Sequence, residues 1–420
     1  MARFLFATWE GGGHVQPMML VARGLADRGH EVLVLSDACN AADAAGVGVP
    51  FRPWRTAPSR PDKSPATDPL RDWEHKSPLD VINGLNEALI ATPAAAYARD
   101  TLEAADDLGA EVIISQELLM GVMAAAESRN LPLALLTANI WPFPTMPGAP
   151  PFGGGLPPAA DDGVVDLYRR IAEATRGAYQ PGLPALNAAR AGLGLTPLAD
   201  MLDQLDVARR ILLATSTAFD VVKDPPLPFT HVGPYLADPA WVDPAWAAPW
   251  SKRQTDPLVL VTFSSMYQGQ DPTVRNVIEA IGGIAARGLV TLGPVLDIAD
   301  FPAPDNVAVV KSAPHSQILP HCAVVVTHCG HASTLRPLMA GVPLLCLPMG
   351  RDQDDNAARV LTAGAGIKLF RDAEPAAIAQ ALKTLIEDPA YRIAAARLGA
   401  AITADVAARS AEAELEALLG

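Results

Sequence analysis

Cysteine is scarce, with only Cys39, Cys322, Cys329 and Cys346 in 420 residues. So few thiols in so long a chain exclude a disulfide framework and fit free cysteines in a reducing compartment. Positive charge is also short. Lys plus Arg number 32 against 46 Asp plus Glu, a net charge of −14. That balance argues against a nucleic-acid partner, which needs a basic face, and against docking on anionic membranes. It still allows a local pocket for a small anion. No apolar run approaches about 18 residues without a charge, so no membrane span is expected. The apolar start Phe4-Leu5-Phe6-Ala7 yields at once to Trp9-Glu10 and glycines, too short for a signal peptide. A cytoplasmic protein is expected.

Apolar residues are plentiful at 50%, and charged residues at 19% are too few for disorder. The length suggests two or three domains. The 39 prolines and 32 glycines mark many sharp connections. Along the chain, short apolar runs alternate with segments of helical spacing. Arg3 to Thr8 reads as a strand, Val15 to Asp27 as a helix and Glu31 to Ser36 as a strand. So compact a strand-helix-strand unit implies parallel pairing with a right-handed crossover. Further strands are expected at Ala110–Ser115, Leu131–Thr137 and Arg209–Ala214, with a helix at Leu118–Arg129. The stretch from Asn139 to Pro158 is rich in Pro and Gly and holds Trp141, Phe143, Met146 and Phe152; it reads as a binding loop with exposed apolar groups.

Residues 234–257 are rich in Pro and Trp (Pro234, Pro239, Trp241, Pro244, Trp246, Pro249, Trp250) and read as an interdomain linker. Strands follow near Leu258–Phe263, Leu289–Leu292, Val307–Val310, Ala323–Thr327, Pro343–Leu347 and Ile367–Phe370. The predicted class is α/β, with two doubly wound Rossmann-like domains at 1–233 and 258–400 and a terminal segment at 401–420. Ligands of such sheets sit beyond the carboxyl ends of the strands, so two facing domains would enclose a cleft.

Two stretches carry candidate chemistry. Gly11-Gly12-Gly13-His14-Val15-Gln16-Pro17 follows the first strand and opens a helix. It is a poor dinucleotide fingerprint, since Gln16 stands where the third glycine is needed and Asp37 lies too far along. His14 is the informative residue: a helix N-terminus disfavours imidazolium, and a neutral ring near pH 7 suits a general base. The second stretch runs from Ala313-Pro314-His315 through Val360. Its histidines and cysteines lack the paired spacing of a zinc site. His328, a glycine turn, and Ser333-Thr334 opening a helix instead make a site for a phosphate or diphosphate. Asp352 and Gln353 follow the next strand at the same sheet edge and suit hydroxyl recognition. A diphosphate joined to a polyol describes a nucleotide sugar.

With these residues the chain resembles the nucleotide-sugar-dependent natural-product glycosyltransferases of the GT-B fold, bacterial type. The blocks are Gly11 to Pro17 (G-x-G-H-V-x-P), Ala313-Pro314-His315 to Leu319, His328 to Thr334, Gly341 to Pro343 and Asp352 to Ala357. The resemblance implies that His14 is the general base. It implies that Ser265, Ala313, His315, His328, Gly330, Ser333 and Thr334 bind the nucleoside diphosphate, and that Asp352 and Gln353 hold the sugar. It implies a UDP- or dTDP-sugar co-substrate, no metal or other cofactor, inversion at the anomeric carbon, and a last helix crossing back to the first domain. A soluble monomer or homodimer is expected.

Three positions depart from the pattern. Many relatives place an Asp after the fourth strand to orient the base; here Gln116 stands there, followed by Glu117. Gln116 can bond to His14 but cannot stabilise imidazolium by charge, and alternation would aim Glu117 away. Ser312 replaces the tryptophan that stacks uracil in plant relatives. Arg336 replaces a Glu that binds ribose hydroxyls, which makes a dTDP-sugar at least as compatible as UDP. The acceptor wall is expected from Trp9, Met18, Trp54, Trp73, Met120, Trp141, Phe143 and Met146, suiting a lipophilic aglycone. A nucleotide-sugar epimerase and a non-catalytic auxiliary homologue are the competing readings.

Overall fold

A computed structural model describes residues 1–238, 242, 246–250 and 255–420. The apolar runs become strands because a sheet covered by helices on both faces buries every side chain of its central strands. The N-terminal half holds β1 (Arg3–Ala7), β2 (Glu31–Ser36), β3 (Phe51–Pro53), β4 (Val112–Ser115), β5 (Leu133–Thr137), β6 (Arg210–Leu213) and β7 (Phe229–His231). Their order is β3-β2-β1-β4-β5-β6-β7, with each neighbouring pair parallel. The C-terminal half holds β8 (Leu258–Thr262), β9 (Arg287–Thr291), β10 (Val307–Val310), β11 (Cys322–Thr327), β12 (Leu344–Cys346) and β13 (Gly366–Lys368). Their order is β10-β9-β8-β11-β12-β13, again parallel throughout.

The strands expected from the sequence all form. β3 and β7 add to them at the two edges of the first sheet. Each sheet carries an apolar core on both faces, and Phe4, Leu5 and Phe6 of β1 are wholly buried between two of them. In both sheets the chain order reverses beside the first strand, between β1 and β4 and between β8 and β11. A crevice opens at that point beyond the carboxyl ends. The loops after β1, β5, β8, β9, β10, β11 and β12 all meet at one cleft.

The halves are joined through a segment in which Pro239, Trp241 and Pro244 lie outside the described residues. Trp246 and Trp250 pack on the second domain. The helix Pro389–Ala408 also packs there, through Ala395 and Ile402. The chain then turns extended at Arg409 and Ser410, and the short helix Ala411–Glu416 seats Ala411 and Leu415 in the core of the first domain. Arg28 binds Glu416 at 2.8 Å and Tyr235 donates to Glu412 at 2.8 Å.

The stretch 139–158 differs from expectation. Phe152 is exposed as expected, but Trp141, Phe143 and Met146 are buried. Trp141 packs edge-on against Phe143 and Phe229, and Phe143 leans on Tyr179. Large rings gain most by leaving water together, and the Trp141 indole N–H still finds Thr145 at 2.8 Å. The end of the loop is pinned to the other domain: Asp355 accepts from the N–H groups of Gly153 (2.6 Å) and Gly155 (2.7 Å).

Candidate active site

The turn after β1 is shaped by close packing. A methyl group on Gly11 would lie 2.7 Å from the Trp9 ring and 2.8 Å from His14. Gly12 has φ +75° and faces Met266 of the second domain. His14 caps the helix Val15–Asp27 without a side-chain bond to it, so its ring is free for other work. That ring stacks on Trp9, with centroids 5.9 Å apart. Gln116, directly after β4, places Nε2 3.2 Å from His14 Nδ1. Burial, then the charges of Arg351 and His331, pull the His14 pKa down to about 4, so the imidazole is neutral at pH 7.

Across the cleft stand the loops of the second domain. Ser265, after β8, is exposed to the cleft. His328 ends the run after β11 and lies parallel to Phe263, with centroids 6.2 Å apart. Cys329 takes the left-handed conformation at φ 65°, and Gly330 leaves room for the His328 ring. The helix His331–Met339 then begins with Gly330, His331, Ala332 and Ser333 at the cleft. Its first N–H groups have no intrahelical acceptor, a ready anion site. Ala313 and His315 border the same space, and His315 Nε2 sits 3.1 Å from Thr291 Oγ1. Burial holds both His315 and His328 near pKa 4.

Asp352 and Gln353 reach the cleft from the loop after β12. Asn356 braces Asp352 at 2.7 Å and reaches the Cys329 carbonyl at 2.9 Å, tying the two loops together. Burial pushes the Asp352 carboxyl up to about 6. Gln353 accepts from the Met349 N–H and donates to Gln268, so its amide is already held in place.

Several expected residues stand elsewhere. Thr334 does not line the cleft: its hydroxyl donates to the Gly330 carbonyl at 3.0 Å, because a threonine in the first helical turn satisfies itself locally. Trp9, Met120, Trp141, Phe143 and Met146 pack in the core of the first domain and do not form the cleft wall. Met18 and Trp54 are buried as well. Trp73 meets Tyr267 edge-on across the domains at 5.2 Å. Glu117 is buried away from the cleft, with its carboxyl pushed up to about 7 by desolvation.

Two arginines join the site. Arg336 lines the cleft and reaches across it, donating to Gln16 at 3.1 Å and pairing with Asp238 at 3.2 Å. Arg351, at φ 58°, lies between the halves, paired with Asp72 and facing the cleft. From the sequence, Arg336 or Arg351 is a candidate cation for the diphosphate. Among the described residues no group of three or more His, Cys, Asp and Glu side chains is placed to hold a metal ion, and no helix is long and apolar enough to cross a membrane.

Two facing parallel-sheet domains with these loops define a glycosyltransferase of the GT-B fold. Residues 280–418 match the family described as erythromycin biosynthesis protein CIII-like, C-terminal domain. The chain is 29% identical to the 4'-demethylrebeccamycin synthase of Lentzea aerocolonigenes over 94% of both chains. The glycosyltransferase of kitacinnamycin superposes with a TM-score of 0.75 at 18% identity, over 99% of this chain and 98% of that one. The spinosyn rhamnosyltransferase SpnG, solved with thymidine diphosphate, gives 0.69 at 19% identity over 100% of both chains. Over almost its whole length the chain is similar to bacterial natural-product glycosyltransferases.

Proposed function

We propose that this enzyme moves a sugar from a nucleoside diphosphate to an oxygen of a lipophilic small molecule, with inversion. One observation carries the reading. His14 and the loops bearing Ser265, His328, Ser333, Asp352 and Gln353 border a single cleft of about 540 Å³. The leaving diphosphate would meet the N–H groups of helix His331–Met339, Ser265 and His328, donors fixed before the reaction begins. Asp352 and Gln353 would hold the sugar. The acceptor would enter from the side of Val15, Met19 and Ala138, opposite the diphosphate, so that a single displacement inverts the anomeric carbon. The general-base role that the resemblance gives to His14 requires an unprotonated Nε2.

dTDP is the favoured nucleotide. Arg336 is engaged with Gln16 and Asp238 and offers no acceptor to a ribose 2′-hydroxyl. The thymidine diphosphate complex of SpnG agrees with that choice.

Thermal shift against dTDP, UDP, GDP and ADP tests the donor. dTDP should raise Tm most, by mass action on the folded state. No response to any of the four would refute the reading. His14→Ala should bind dTDP nearly as well as wild type yet lose transfer by about 100-fold or more in kcat/KM. Unchanged turnover would remove His14 from the chemistry. An epimerase, by contrast, would change the donor sugar with no acceptor present.

A further inference from the structure

His14 is held through one nitrogen, and the other end of Gln116 decides what that contact is. Gln116 Oε1 receives two N–H groups, the Trp9 indole at 2.9 Å and the Leu118 backbone at 3.2 Å. Neither group can accept a hydrogen bond. Turning the amide over would set its NH2 against both and strand two buried donors, each costing about 1–3 kcal/mol. Gln116 is wholly buried, so no water relieves the conflict. Its Nε2 therefore faces His14 Nδ1, and it has only hydrogens to offer. Nδ1 of the neutral ring must be the acceptor, which places the ring proton on Nε2, the nitrogen left for the cleft. A carboxylate at position 116 would select the opposite tautomer and leave Nε2 with a lone pair.

We infer that Gln116 is a positioning residue that makes His14 a hydrogen-bond donor toward the acceptor, and that the enzyme takes acceptors whose nucleophilic oxygen is already ionised, such as acidic phenols and enols. This rests on the glycosyl transfer proposed above. A lone pair of the acceptor O⁻ forms the bond to the anomeric carbon. The bond from that carbon to the diphosphate oxygen breaks, and its electron pair leaves with the diphosphate. No proton moves, so no base is needed. Two features favour an anion beside the ring. The helix Val15–Asp27 starts at His14 with its positive end toward the cleft. Arg351, paired with Asp72, is the cation acting on the ring, against the Glu10 and Asp352 carboxyls that also line the cleft, while His331 is held neutral by burial. For His14 to take a proton at Nε2, Nδ1–H would have to point at a Gln116 N–H.

Ring 15N chemical shifts of the full chain labelled at histidine read the tautomer directly, with His14 assigned as the signals lost in His14→Ala. Wild type should show Nε2 protonated and Nδ1 bare; Gln116→Glu should move the proton to Nδ1. A wild-type ring protonated at Nδ1 would overturn the inference. In turnover from dTDP-glucose or UDP-glucose, 4-nitrophenol should exceed benzyl alcohol by about 100-fold in kcat/KM, the scale of a missing general base. Gln116→Glu should narrow that gap. Benzyl alcohol within about tenfold of 4-nitrophenol, or transfer to neither, would overturn the acceptor assignment. The tautomer is read without turnover, whereas nucleotide binding tests the transferase reading, so the two fail separately.

Discussion

A methyl group at Gly330 would sit 2.5 Å from His328 Nε2. Gly330→Ala should push that imidazole off its stack on Phe263 and weaken nucleotide binding by about tenfold, or 1.4 kcal/mol, in calorimetry. The titrating side chains make a second prediction. His14, His315, His328 and His331 are each held near 4, chiefly by burial. Unfolded, they take protons near 6.5, so their contribution to stability is full above that pH and is lost as pH falls toward 4. Buried carboxyls, Asp355 among them, oppose them. Asp37 and Asp352 are raised to about 6 and Glu117 to about 7, chiefly by burial. The fold therefore gains from them as pH falls through those values, until the unfolded carboxyls also protonate near 4. The carboxyls therefore offset most of what the imidazoles lose, and stability should change little between about pH 6 and 4.5. Urea unfolding in that window measures the slope. Asp352→Asn removes one opposing carboxyl and should make stability fall more steeply as pH drops.

Elements show what the sequence could and could not reveal. Central strands are buried on both faces and so appear as unbroken apolar runs; β1, β2 and β11 formed where those runs stood. β3 (Phe51-Arg52-Pro53) and β7 (Phe229-Thr230-His231) are edge strands with one large apolar residue each, so no apolar run marks them. The loops that border the cleft in the second domain were readable because their polar residues are consecutive after a strand, as at His328 to Ser333. The acceptor wall was not. Trp141 and Phe143 carry no mark telling core from cleft, and their burial depends on Phe229 and Tyr179, far along the chain. The orientation of the Gln116 amide likewise depends on Trp9, which only the pairing of β1 with β4 brings close. The Gly153–Gly155 segment was also hidden. Asp355 holds both of its N–H groups while lying two residues beyond Gln353, so that loop is anchored to the helix Gln353–Thr362. Asp355→Ala removes two charge-assisted hydrogen bonds whose donors water can then reach, and should cost about 1 kcal/mol. It should also raise the acceptor KM more than the donor KM, a split that steady-state kinetics would show.

At the scale of the molecule, the two halves are tied at several places. Arg359 reaches Asp220 at 2.7 Å, and Asp220 also meets His231 at 3.1 Å. Asp405 accepts from the Ala218 N–H at 2.9 Å. The terminal helix adds an apolar tie, because Leu415 is wholly buried in a core that includes Met18 and Leu25. Leu415→Ala should cost about 2–5 kcal/mol in urea unfolding, the usual range for a buried leucine. That seating also governs how hybrids of this enzyme must be built. A chimera with a relative's donor half joined at residue 257 would carry a foreign tail into the groove beside Arg28 and Gly24, where Glu412 fits without space to spare. Recombination therefore calls for two breakpoints, one in the linker and one at Arg409–Ser410, so that residues 410–420 stay with the N-terminal half they complete.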